Sequence, residues 1–131
     1  MLRVVFDTNI LISALVFPGG RAEAALARII NGRDILFFSK PILDELLTVL
    51  ARKFARDKEQ LAHTAVFISE IAQLCHPRRR LHILTDEPDN RILECALAAH
   101  AEMIVTGDQA MLRLGAYQTV KIVMLREYLD L

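Results

Sequence analysis

Tryptophan is absent from this 131-residue chain, and aromatic residues of any kind make up only 6% of it. A platform of rings on which successive bases could stack is therefore not evident, and Phe37, Phe38, Phe54 and Phe67, which stand among aliphatic neighbours, read as core. Neither sign of charge is in excess: 16 Lys and Arg balance 16 Asp and Glu. That balance excludes a general polycation that coats nucleic acid and confines any such contact to a local patch. Only two cysteines are present, Cys75 and Cys95, with no C-x-x-C and no Cys/His pairs at zinc-finger spacing, so free thiols in a reducing compartment are expected. No apolar run approaches the roughly 18 residues that a membrane helix requires, and the amino end shows no leader signature. The expectation is a soluble, cytoplasmic protein with no membrane partner. By length, residues 1–131 make one domain that buries roughly two-thirds of its unfolded surface.

What the chain has in quantity is aliphatic side chains. Hydrophobic residues reach 53%, and the mean hydropathy is +0.32. That is high for a small monomer and points to a homodimer covering apolar surface, with the Leu26/Ile29/Ile30 and Leu46/Leu47/Leu50 faces as the surfaces to be covered. Hydrophobic periodicity and turn residues predict strand 2–6, helix 9–16, a Pro18-Gly19-Gly20 break, helix 21–31 and strand 35–38. Ser39 is expected to cap a helix reaching about Phe54, and Asp57 to begin one reaching about Leu74. After the connector from Cys75 to Arg80 come a short strand at 81–84, helix 88–100, strand 103–105, a short helix from 108, strand 120–124 and a last turn from Arg126. Strands that are apolar on both faces and alternate with helices predict an α/β fold, a three-layer α/β/α sandwich around a central parallel sheet. In such sheets ligands bind beyond the carboxyl ends of the strands.

Acids stand at the strand-to-helix junctions. Asp7 precedes Ile10 and Leu11 by three and four positions, Asp89 precedes Ile92 and Leu93, and Asp108 precedes Met111 and Leu112. At that offset each carboxylate projects from the buried side of the first turn of its helix. Any one of them alone is explained by helix capping, which is worth roughly 0.3 to 1 kcal/mol through the helix dipole. Capping requires no particular side of a helix, so three acids with one inward offset favour a common site. Glu45 lies at the edge of the stripe formed by Ile42, Leu46, Val49 and Leu50, while Asp44 points further outward. Gathered carboxylates raise one another's pKa unless a cation sits among them, and hard oxygen ligands select Mg²⁺ or Mn²⁺. This is the donor set for metal-assisted phosphodiester cleavage.

Asp7-Thr8-Asn9-Ile10-Leu11, Glu45 within Leu43-Asp44-Glu45-Leu46, Asp86-Glu87-Pro88-Asp89-Asn90 and Val105-Thr106-Gly107-Asp108 resemble, in order and spacing, the four acid-bearing blocks of the PIN-domain ribonucleases. More narrowly the chain resembles the VapC-like toxins of toxin–antitoxin modules, over nearly its whole length. The resemblance implies a central parallel sheet and Asp7, Glu45, Asp89 and Asp108 as catalytic ligands of one or two Mg²⁺ or Mn²⁺ ions. Asn9 and Thr106 would orient those acids by hydrogen bonds. It further implies an endoribonuclease with an RNA substrate, homodimers, and a cognate antitoxin that blocks the pocket. Asp86 is a spare carboxylate in the third block and leaves open which acid there is the ligand.

Arg78-Arg79-Arg80 could contact RNA phosphates or be a solvated loop, and the same pair of readings holds for Arg52, Lys53, Arg56 and Lys58. His63, His76, His82 and His100 share no spacing with the acids and are assigned no role. A PIN-type nuclease of RNA or DNA processing is the nearest alternative to a toxin. A receiver-like phosphoacceptor module ranks behind it, because Asp7 lacks an adjacent acid and Lys121 precedes or begins the last strand instead of following it.

Overall fold

Val4, Val5 and Phe6 leave their strand no polar face, so it is stable only with helices on both sides. In the computed structural model, which describes residues 1–131, that strand is β1 (Arg3–Phe6) at the middle of a six-stranded sheet. The chain continues through α1 (Thr8–Val16), α2 (Arg21–Ile30), β2 (Ile35–Phe38), α3 (Lys40–Phe54), α4 (Lys58–Ile71) and β3 (Ala72–Leu74). Then follow α5 (Glu87–Ala98), β4 (Met103–Val105), α6 (Gln109–Leu114), β5 (Ala116–Tyr117), β6 (Val120–Val123) and α7 (Leu125–Leu129). The strand order is β3-β2-β1-β4-β6-β5. Every pairing is parallel except that of β5 with β6. The architecture is the expected α/β fold, a mainly parallel central sheet flanked by helices.

Three local expectations are corrected. The helix from Asp57 stops at Ile71, because Ala72–Leu74 leave it to pair with β2 as an edge strand, in the register Leu36↔Ala72 and Phe38↔Leu74. Residues 81–84 are not a strand. Side chains of α5 take up their backbone groups instead: Glu94 Oε2 accepts from Leu81 N at 2.7 Å, and Asn90 Oδ1 accepts from Ile83 N and Leu84 N at 3.0 and 2.8 Å. Ser39 occupies the N-cap position of α3, but its hydroxyl makes no cap bond.

The helix faces expected to carry a dimer lie in the chain's own core. Leu26, Ile29, Leu46 and Leu50 are buried, and of those residues Ile30 alone is largely exposed, at 54%. The apolar surplus thus fills a core of 34 residues drawn from both faces of the sheet. The carboxyl end is tied down by a buried polar cluster: the Tyr128 hydroxyl donates to Asp34 Oδ2 at 2.7 Å, and Arg28 Nη1 donates to the Tyr128 carbonyl at 2.7 Å. No single helix is long and apolar enough to cross a membrane.

Candidate metal centre

β1 and β4 are neighbours in parallel, with Phe6 opposite Val105, so the residues that follow them leave the sheet side by side. The chain runs from β1 toward β2 on one side, while β4 lies on the other, which makes the β1/β4 boundary the crevice where strand order diverges. Asp7 enters that crevice at the N-cap position of α1, with its backbone N–H donating to the Val105 carbonyl at 2.9 Å. Its side chain makes no cap bond. Its Oδ2 instead accepts from the Thr106 hydroxyl at 2.6 Å, and the same Thr106 oxygen accepts from the Asp108 backbone N–H at 3.0 Å. One buried hydroxyl thus fixes the spacing of two acids from adjacent strands. Asp108 does cap: its Oδ2 accepts from Met111 N at 2.9 Å, anchoring one carboxylate oxygen.

Asp89 sits in the first turn of α5, the turn that Pro88 pre-sets, and Ile92 and Leu93 one turn on are buried. It is only 6% exposed, and its Oδ2 is shut away from solvent without any hydrogen-bond partner. Glu45 is half-buried on α3, with Oε2 3.4 Å from the Thr8 hydroxyl. Its neighbour Asp44 points outward and pairs with Lys40 at 2.7 Å, which decides between the two acids. Asp86 is exposed at the N-cap position of α5 and makes no cap bond. Asn9 is also exposed, and its side chain makes no hydrogen bond to the acids as the side chains stand. Thr8, which the sequence pattern did not single out, is the buried hydroxyl next to Asp7 that reaches the fourth acid.

The acids raise one another's pKa. Burial, and then the charges of Asp108, Asp7, Asp86 and Glu45, push Asp89 up to about 7. Burial also raises Asp7; the Thr106 hydrogen bond opposes this, and the Asp108 charge adds to it. Glu45 is raised by burial and by the charges of Asp7 and Asp86. As the side chains stand, no three of them surround a common point closely enough to hold an ion. The donor set nevertheless fits one. It is made of hard carboxylate oxygens, it is short of positive charge, and Asp89 Oδ2 is a buried acceptor with no donor.

Other charged groups stand apart. Arg78, Arg79 and Arg80 are exposed on the connector and line clefts with His76 and Glu94 that none of the four acids enters. Lys121 pairs with Met103 at the amino end of the sheet, opposite to the acids, which removes the lysine that a receiver-like site would require.

A family model described as PIN domain matches residues 3–110 of the chain. An uncharacterized protein of Methanocaldococcus jannaschii is 28% identical over 117 residues, covering 86% of this chain and 75% of its own. Among solved structures, VapBC2 from Rickettsia felis bound to a DNA fragment from their promoter superposes with a TM-score of 0.66 at 16% identity, covering 94% of this chain and 98% of that one. VapBC-1 from nontypeable Haemophilus influenzae superposes with a TM-score of 0.61 at 15% identity, covering 96% and 99%. At those identities the likeness is one of fold.

Proposed function

The chain belongs to the PIN domain family, and on that premise we propose that it is a Mg²⁺- or Mn²⁺-dependent endoribonuclease, the toxin of a toxin–antitoxin pair. The observation that carries the nuclease reading is the Asp89 carboxylate, buried, without a donor, and facing the charges of Asp7 and Asp108, which follow β1 and β4, and of Glu45 on α3. Asp7, Glu45, Asp89 and Asp108 would hold the ion. When bound, it supplies an activated water and charge stabilisation on the attacking and leaving oxygens of a phosphodiester. The rest falls to the chain. Thr106 fixes Asp7 relative to Asp108, Thr8 steadies Glu45, and the Met111 amide holds one oxygen of Asp108 so that the other stays free. Burial keeps competing water from Asp7 and Asp89.

The toxin role is supported by the fold likeness to two VapBC assemblies, and it brings with it an antitoxin that occludes the acid pocket. RNA as the substrate belongs to the same proposal; a homodimer rests on the family resemblance alone, since the helix faces expected to carry it are covered by the chain's own core. The purified protein should cut RNA with Mg²⁺ or Mn²⁺ and stop with EDTA, and Asp7→Asn should abolish cleavage while leaving the fold intact. Cleavage by Asp7→Asn in nuclease-free preparations would refute the assignment. The toxin role is tested in cells: expression should arrest growth, and co-expression of a small protein from the adjoining reading frame should restore it. Active protein that leaves growth untouched would point to a processing nuclease.

A further inference from the structure

None of the four acids lines one of the surface clefts, yet one cleft opens beside them and shares Thr106 with their hydrogen-bond network. It measures about 280 Å³, and its wall carries Arg21, Thr106, Gly107, Met124 and Arg126. Arg21 is the first residue of α2 and Arg126 lies in α7; these two helices pack together, and both arginines line the same cleft. Neither arginine makes an ion pair or a side-chain hydrogen bond, in contrast to Arg3, Arg28, Arg33 and Arg91, whose guanidiniums are all engaged. No acid lines this cleft. Gly107 adds an open stretch of main chain between Thr106 and Asp108: its amide donates no hydrogen bond, and a Cβ placed there would meet nothing within 4 Å. Two free guanidiniums and an uncovered amide beside a cluster of carboxylates form a donor set for an anion that cannot enter the acid pocket itself.

We infer that this cleft seats the phosphate of the RNA strand next to the one being cut, with Arg21 and Arg126 as its ligands and Gly107 giving the strand room to approach. The inference rests on the nuclease reading above and assigns the side on which the substrate leaves the acids, across α2 and α7. The clefts on the opposite side, toward Arg78–Arg80, contain no residue of the acids' hydrogen-bond network. A flanking phosphate held here would fix the scissile one without being altered itself, so Arg21 and Arg126 act in binding and leave the chemical step alone.

The test compares wild type, Arg21→Ala/Arg126→Ala and Gly107→Ala on a short single-stranded oligoribonucleotide and on a dinucleoside monophosphate, whose single phosphate is the scissile one. With the oligomer, KM for the double arginine variant should rise roughly tenfold at unchanged kcat. With the dinucleoside monophosphate, all three proteins should be equal. Gly107 is not in a left-handed conformation, so Gly107→Ala should fold normally and still raise KM for the oligomer. Binding is read separately on an Asp89→Asn background, where replacing both arginines, and so losing one phosphate contact, should reduce the slope of log affinity against log salt by about 0.7. An unchanged KM and an unchanged slope overturn the inference while leaving the nuclease reading standing. A wild-type protein that cuts no RNA overturns the nuclease reading, and the slope then still decides whether the arginines hold a phosphate backbone. RNA affinity that survives in the double variant while affinity for polyglutamate is lost would make the occupant a protein carboxylate and also overturn the inference.

Discussion

Replacing Asp89 by Asn should make the metal-free protein more stable and inactive. The carboxylate is buried, has one oxygen with no partner, and takes its pKa to about 7 from desolvation first and the charges of Asp108, Asp7, Asp86 and Glu45 after that. In the unfolded chain its value is the ordinary 3.8. Because the folded state keeps the proton longer than the unfolded state, Asp89 lowers stability as pH rises from about 4 through about 7, and its full penalty is present above that window. Three pKa units correspond to about 4 kcal/mol as an upper bound, and relaxation and solvent at the open side of the site reduce this to about 1–3 kcal/mol. Asn has the same size and carries no charge, and its amide can donate to the neighbouring carboxylates. In EDTA at pH 8 the variant should therefore melt about 5–10 °C above wild type. At about pH 3, where Asp89 is protonated in the folded and the unfolded state alike, the two should nearly coincide. Added Mg²⁺ or Mn²⁺ should raise the wild-type midpoint at pH 8 and leave the variant little changed. Differential scanning calorimetry in matched buffers reads all three effects. A variant that is less stable than wild type at pH 8, or that shows the same pH dependence, would refute the picture of a strained carboxylate cluster.

The neighbouring acid should behave differently: Asp86→Asn, exposed and without a cap bond, should retain metal binding and cleavage, with a stability change of at most about 1 kcal/mol. If it is inactive in Mn²⁺ calorimetry and RNA cleavage, the metal site must be redrawn around Asp86. Thr106→Val removes the donor that opposes the rise of Asp7's pKa and strands the Asp108 amide, so the acid limb of the cleavage profile should move to higher pH, with a stability loss of about 1–3 kcal/mol. An unshifted profile with full kcat would show that the hydroxyl does not position Asp7. Light scattering at roughly ten micromolar should return twice the mass of the chain, and a monomer there would count against the homodimer.

Much of this protein was legible in its sequence because the signals are local. Val4-Val5-Phe6 has no polar face, so the strand could only be central and helix-covered. The offset of three and four residues between Asp7, Asp89 or Asp108 and the apolar pair that follows reports the side of a helix, and that side is set by the 3.6-residue turn before any partner arrives. Asp86, outside that turn, is exposed as the same geometry requires. The sequence was silent where a residue's role depends on what comes to meet it. Ala72–Leu74 reads as the end of a helix and becomes a strand only because β2 offers unpaired backbone groups at the sheet edge. Residues 81–84 read as a strand, yet Asn90 and Glu94 satisfy their amides, and that exchange exists only once α5 lies alongside.

The same division runs through the site. Composition, periodicity and spacing determined an α/β chain with inward-facing acids at the ends of its strands, since those properties follow from bond geometry and side-chain period alone. Only the tertiary structure decided that β1 and β4 are neighbours and that a single threonine ties Asp7 to Asp108. It also decided that the Thr8 hydroxyl reaches Glu45, that the Leu26 and Leu46 faces are spent on the chain's own core, and that Asp89 keeps a buried oxygen with no partner. Each of these depends on residues tens of positions apart being held within a few ångströms, and that closeness is a property of the packed sheet, not of any stretch of sequence.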